Sequence, residues 1–516
     1  MLSERILQIT KELVAAYSPT NTAREQQVEE YILKFLQQQK YFAERPQQCG
    51  FYEVAGDVHG RSSVYGLVLG ASRKTVIFMG HHDVVDTEVY GKLAEYAVNH
   101  DQLVQALSKT ELSEKADEDL RSGEWLFGRG SCDMKGGTAV QMALLEEYAL
   151  QPELGSLLFI SVPDEEAFSA GMRSCLPLLQ KLRQEYGLEY VLAVNCEPNS
   201  VENGKQIVYS GSVGKILPVV LVQGKTVQIG SYSQGVNPIA VLAEIICATE
   251  ADYGFCDYAG AEKTVPPVWS FVRDLKSVYD FSLPLRCAAY CNILNFSKTP
   301  DEVLLWLKGK CLKAARIAMS KQACGHQVQV LTFVELLTEA EKRAEFTLFY
   351  KDLQLKQQMK LQKEHVSYPD LTIWTMEQVL EFMQWNEPVV VLGFAPPYYP
   401  ALNSNNLSSS FAETEAYLKQ LLNVEIKQYF MGISDCSYLG LDKSCDYKIF
   451  ADNTPLWGKF YSFNAEVLEK LQIPFLLLGP WGKDLHQKTE RVNINSLCKV
   501  MPQVIRQLCQ FQWQIK

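Results

Sequence analysis

The sequence predicts an α/β fold in which a catalytic domain with a mainly parallel central sheet is interrupted by an inserted α+β domain. Three observations carry this. Up to about residue 213, short apolar runs alternate with helix-spaced ones; from about 214 the texture changes to strands separated by helices; after about 385 the first texture returns. Alternation of strands and helices is the mark of a parallel sheet covered by helices. The catalytic domain is therefore assigned to 1–213 and 385–516 and the insert to 214–384, with the assignment of 340–384 left open.

Taken in order, the opening residues read as an amphipathic helix capped by Ser3, and 21–40 read as helical. Leu67–Leu69, Thr75–Met79, Leu157–Val162 and Tyr190–Val194 are apolar enough for buried strands, and Thr138–Leu150 has helical spacing. In the insert, Leu217–Val222, Leu285–Phe296 and Val328–Leu337 read as strands. Residues 237–250 and 299–321 read as helices, the second opening on Thr299-Pro300-Asp301-Glu302, a good start signal. The stretch 351–364 reads as a solvated helix and the polar segment 109–123 as a surface loop. Pro388–Leu392 and Phe475–Leu478 read as strands of the resumed catalytic domain.

A chain of 516 residues exceeds what one core usually serves, and its 47 % apolar and 21 % charged composition is ordinary for a globular protein. Forty-nine basic against 60 acidic side chains give a net charge of −11, and no long Lys/Arg cluster interrupts this, which argues against nucleic acid as a partner. No apolar run reaches the roughly 18 residues that a membrane-spanning helix needs, and the N-terminus does not read as a signal peptide. The 14 scattered cysteines include no Cys-x-x-Cys pair and read as buried free thiols of a cytoplasmic protein.

The chemistry sits in four short motifs and one late histidine. His81 lies in Gly80-His81-His82-Asp83-Val84-Val85 and Asp133 in Gly128-Arg129-Gly130-Ser131-Cys132-Asp133-Met134-Lys135-Gly136-Gly137. Glu165 and Glu166 follow Pro163-Asp164, Glu197 lies in Cys196-Glu197-Pro198, and His486 stands near the C-terminus. His81, the Glu165-Glu166 pair and Glu197 each follow a short apolar run, which places them beyond the carboxyl ends of strands, where open α/β sheets bind ligands. Imidazole and carboxylate together suit a pair of divalent ions, Zn²⁺ first, with Co²⁺ or Mn²⁺ as alternatives. Adjacent glutamates on an extended segment point opposite ways, so one can ligate while the other faces a substrate as a proton acceptor. Gly128-x-Gly130 lacks the spacing of a dinucleotide site, Gly214-Lys215 that of a phosphate loop, and there is no nucleophile elbow.

Together these motifs, with His486-x-x-x-Glu490, resemble the dinuclear zinc metallopeptidase family of aminoacylases, glutamate carboxypeptidases and succinyl-diaminopimelate desuccinylase. The likeness extends over nearly the whole chain. Tyr209-Ser210-Gly211-Ser212-Val213-Gly214-Lys215, Ala395-Pro396-Pro397-Tyr398-Tyr399-Pro400 and Gly432-Ile433-Ser434-Asp435 are similar to its arginine-utilisation (RocB) branch. The resemblance implies a zinc-exopeptidase-like catalytic domain and an insert that closes over the site and serves in forming a homodimer. It implies that Asp133 bridges two metals, with His81 and Glu197 completing one site and Glu166 and His486 the other. Glu165 would be the general base and Asp83 would orient His81 through its second ring nitrogen. It also implies a cis peptide at Asp133-Met134.

One position departs from the family. The insert usually supplies a histidine that stabilises the developing oxyanion, and the matching segment Gly224-Lys225-Thr226-Val227-Gln228-Ile229-Gly230 carries Gln228 there; His326 and His365 are no convincing substitutes. An uncharged amide still donates a hydrogen bond. Two readings follow: a metal-dependent hydrolase cleaving an amide bond in a small peptide or N-acyl amino acid, in arginine or amino-acid catabolism, or a weakened or inactive homologue that binds a peptide or amino acid.

Overall fold

The computed structural model describes residues 2–364, 366–441 and 447–515. The chain forms two compact units, one of Met1–Ser212, Leu402–Leu441 and Phe463–Lys516, the other of Val213–Ala401 and Asp442–Ser462.

The first unit is built on a nine-stranded sheet. Its path runs Cys49–Glu53, Ser62–Val68, Ser156–Val162, Lys74–His81, Glu189–Asn195, Phe475–Leu477, Lys205–Tyr209 and Val424–Lys427, and Val201–Glu202 pairs off this path. The four middle strands, from Ser156–Val162 to Phe475–Leu477, run parallel. They are almost wholly apolar because helices cover them: Leu2–Ala15, Lys135–Leu150 and Met501–Gln514 share one core cluster with Val76, Phe78, Leu157, Phe159 and Val194. The helix Ala170–Tyr186 packs against Ser62–Val68 and Ser156–Val162. Register aligns the strand ends, with His81 opposite Val162 and Met79 opposite Asn195. The positions that follow these strands therefore meet on one edge.

Two glycines of the motifs are explained by close approach. A Cβ on Gly137 would stand 2.1 Å from the Cys196 carbonyl oxygen, so the helix Lys135–Leu150 can lie this near the Glu197 turn only with glycine there. A Cβ on Gly80 would stand 2.4 Å from Met134 Cε.

The second unit carries a five-stranded sheet in the order Val268–Asp274, Arg286–Asn295, Gly214–Gln223, Val389–Tyr399 and Gln329–Thr332. Leu217, Val219 and Leu221 pack with the helices Phe333–Glu341, Phe346–Lys363 and Tyr368–Phe382, and Pro238–Thr249 packs against Gly214–Gln223 and Arg286–Asn295.

Several expectations are corrected here. Val389–Tyr399 pairs along its length with Gly214–Gln223, so this strand belongs to the second unit and the chain returns to the first at Leu402 rather than 385. A later stretch, Asp442–Ser462, also belongs to the second unit. The strand expected over 328–337 ends at Thr332, whose side chain accepts from Glu335 N in a capping box that starts the helix Phe333–Glu341. The expected loop 109–123 contains the helix Glu114–Ser122, capped by Ser113 and ended by Gly123 in the left-handed region. Ser3 lies inside the helix Leu2–Ala15, and its hydroxyl donates to the Cys498 carbonyl instead of capping. The 13 described cysteines are unpaired, and Asp133-Met134 is a cis peptide. Among the described residues no helix is long and apolar enough to cross a membrane.

Candidate active site

His81 ends its strand, Glu165 and Glu166 follow Ser156–Val162, and Glu197 lies two residues beyond Glu189–Asn195. Asp133 precedes the helix Lys135–Leu150, and His486 sits between the short strands Gly482–Lys483 and Arg491–Asn493. All six belong to the first unit. Asp133 stands in the middle: its Oδ1 lies 3.1 Å from His81 Nε2 and its Oδ2 lies 3.2 Å from His486 Nε2. Glu197 Oε1 is 3.3 Å from His81 Nε2, and Glu166 Oε1 is 3.1 Å from His486 Nε2. The donors thus fall into two groups that share Asp133. Glu165 Oε2 stands farther off, 3.9 Å from His81 Nε2.

These donors fit a metal. Ligand atoms at about 2.0–2.2 Å from one Zn²⁺ lie roughly 3 Å from one another, as the pairs above do. Donor atoms of His81, Asp133 and Glu166, drawn from both groups, lie within 4.8 Å of one another, so the two groups adjoin. Electrostatics add to the case. Burial raises Glu197 to about 8, helped by the neighbouring Asp133 charge. Burial also raises Asp133, but hydrogen bonds from His486 and His81 outweigh it and hold that carboxyl below the ordinary range. His486 is raised to about 10 by its bonds to Asp133 and Glu166. Carboxylates gathered this closely out of water call for cations among them.

The loop carrying the glutamates is fastened from below. Asp83 Oδ1 accepts from Glu165 N at 3.1 Å and Oδ2 from Glu166 N at 3.2 Å. On His81 Nδ1 the nearer partner is the Asp83 carbonyl at 3.0 Å, with Asp83 Oδ1 at 3.4 Å. The carboxylate expected to orient His81 thus also accepts from the two amides, and at shorter distances. Beneath it, Arg61 Nη1 donates to Glu25 Oε1 and Asp164 Oδ1, each at 2.8 Å, and Glu25 Oε2 accepts from Asp164 N. All three side chains are buried.

The Asp133 turn has its own clamp. Glu490 Oε1 accepts from Cys132 N and Asp133 N, both at 3.2 Å, and its other oxygen pairs with Arg129. Arg129 Nη2 donates to the His486 carbonyl at 3.1 Å. One buried ion pair therefore holds the backbone of Asp133 and that of His486. Sequence reading found Arg129 and Glu490 only as motif letters, and it gave no role to Glu25, Arg61 or Asp435. Asp435 is buried, and its charge is among those that raise Glu165.

Gln228 lies in the second unit, exposed, in extended backbone ahead of the turn Ile229–Gln234. His326 is half-buried and meets the Gln234 carbonyl, and His365 lies outside the described residues.

A parallel sheet bearing histidines and carboxylates at its carboxyl edge, with an inserted second unit, defines a class of metal-dependent hydrolases. The profile of peptidase family M20/M25/M40 matches residues 77–454, and the chain belongs to that family. It is an enzyme of the hydrolase class. It is 29 % identical to the uncharacterized protein YqjN of Bacillus subtilis (strain 168), over 97 % of this chain and 95 % of that one. It is 27 % identical to protein RocB of the same organism, over 98 % and 94 % of the two chains. Among solved structures, Bacillus subtilis YxeP, described as a dinuclear metal binding peptidase of the M20 family, shares the fold with a TM-score of 0.52 at 12 % identity, covering 99 % of this chain and 98 % of that one.

Proposed function

We propose that this enzyme hydrolyses an amide bond in a small peptide or N-acyl amino acid with two divalent ions of the Zn²⁺ class. The observation that carries this reading is Asp133, whose two carboxylate oxygens each face a different imidazole. His81 and Glu197 would complete one site with it, and His486 and Glu166 the other. When bound, the ions supply Lewis acidity toward the scissile carbonyl and acidify water.

The remaining work falls to side chains. Glu165, beside the ligands but outside both groups, takes the proton of the attacking water on its carboxylate and passes it to the departing amine. Burial pushes the Glu165 carboxyl well above its ordinary range, which suits an acceptor that must later give the proton back. Asp83 holds the Glu165 and Glu166 amides, so the base and a ligand move together or not at all. Gln228 is proposed to donate its side-chain N–H to the developing oxyanion. Gln228→Ala is then expected to lower kcat by about 10²–10³ with little change in KM. Unchanged kcat in steady-state assays removes Gln228 from the mechanism.

Pairing of two copies through the second unit is supported by the edge strand Val268–Asp274, where Val268 is 41 % and Val272 61 % exposed. A cytoplasmic setting is supported by the unpaired thiols. The resemblance of the motifs to the arginine-utilisation branch supports a place in amino-acid catabolism, and the exposed Asp86 and Glu88 beyond the His81 motif suit a basic side chain such as that of arginine. A panel of dipeptides and N-acyl amino acids, assayed with Zn²⁺, Co²⁺ and Mn²⁺, tests the reading. Metal-dependent release of free amino acid is expected, faster for N-acyl-arginine than for N-acyl-leucine. Equal rates remove the arginine preference, and no hydrolysis across the panel removes the substrate class.

A further inference from the structure

His486 stands on a short loop whose backbone is unusual. Asp484 has φ +54 and His486 has φ +62, both in the left-handed region although neither is glycine. Such a loop keeps its shape only if its surroundings over-determine it. From above, Arg129 takes the His486 carbonyl. At its base the loop springs from the strands Gly482–Lys483 and Arg491–Asn493, and the second of these pairs with Trp125–Phe127.

Both basic residues at that base converge on one carboxylate. Asp119 Oδ2 accepts from Lys483 Nζ at 2.8 Å and from Arg491 Nε at 2.7 Å. Arg491 is buried, and Asp119 is 15 % exposed. The cations are also stacked on aromatic rings, Lys483 Nζ at 4.3 Å from the Trp125 ring centre and 4.9 Å from that of Trp481. Arg491 Nη1 reaches Asp484 as well, which ties the first residue of the loop to the strand after it. Asp119 belongs to the helix Glu114–Ser122, in the polar stretch that sequence alone reads as a surface loop.

We infer that Asp119 is a positioning residue for the metal centre: by joining Lys483 to Arg491 it sets the loop that presents His486, and so tunes the His486–Glu166 group without touching the His81–Glu197 group. The inference rests on the proposed two-metal reading. Partners that orient a ligand typically change metal affinity about 10–100-fold when removed. Here the effect should be confined to one of two ions.

Titration of the metal-free full-length enzyme with Co²⁺, followed by visible absorption and calorimetry, tests this. Wild type is expected to show two binding events, and His486→Ala identifies the one belonging to the His486 group. Asp119→Asn should weaken that event about 10–100-fold and leave the other unchanged. Asp117→Asn, on the same helix and paired with the exposed Arg121, should change neither. Lys483→Gln, which removes only one arm of the anchor, should produce a smaller loss at the same event, and it decides the matter if Asp119→Asn does not fold. Equal weakening of both events, or of neither, overturns the role of Asp119. A wild type that binds no Co²⁺ overturns instead the metal-centre reading on which it depends.

Discussion

Glu165→Gln is expected to keep its metal and its stability and to lose about 10²–10⁴ in kcat, the usual contribution of a positioned acid–base group. The substitution preserves shape. Glutamine fills the same space, and the main-chain N–H that Asp83 accepts is untouched. What it loses is the capacity to hold a proton. The carboxylate stands 3.9 Å from His81 Nε2, while the ligand pairs stand at 3.1–3.3 Å, so the ligand groups do not depend on it. Steady-state rates with elemental analysis on the same sample check the prediction. Full turnover with metal in place rules Glu165 out as the base; loss of metal makes it a ligand instead.

Asp133→Ala has the largest consequence for the centre itself. Every other ligand belongs to one group, and this residue belongs to both. Without it His81 and Glu197 form one incomplete set and His486 and Glu166 another, and both ions should be lost together with turnover. The fold should survive, because Arg129 and Glu490 hold the Asp133 turn through its backbone rather than its carboxylate. Circular dichroism and metal content read the two effects separately. A variant that still carries two ions shows that the groups do not share this residue.

Much of the centre is legible in the sequence because a strand end is a local signal. His81, Glu165, Glu166 and Glu197 each follow an apolar run, and register in the sheet does the rest. Asp133 and His486 are legible through the family resemblance of the motifs that carry them. The supports are not. Asp119 lies 364 and 372 residues from Lys483 and Arg491, and no periodicity in a polar helix announces so distant an ion pair. The same limit displaced the return of the chain from Leu402 to 385. A run such as Val389–Leu392 is apolar whichever sheet it joins, and periodicity says nothing of its partner. The helix Phe333–Glu341 was readable in principle, since Thr332 and Glu335 have capping-box spacing, but the β-branched and aromatic residues around them favour a strand.

Metal content per chain, measured by elemental analysis on full-length enzyme purified without chelators, tests the central claim most directly. About two Zn²⁺-class ions per chain is the predicted result, with Asp133→Ala near zero. A wild type that holds none, even after reloading with Zn²⁺, Co²⁺ or Mn²⁺, would contradict the two-metal centre and leave its gathered carboxylates to be explained by something other than hydrolysis.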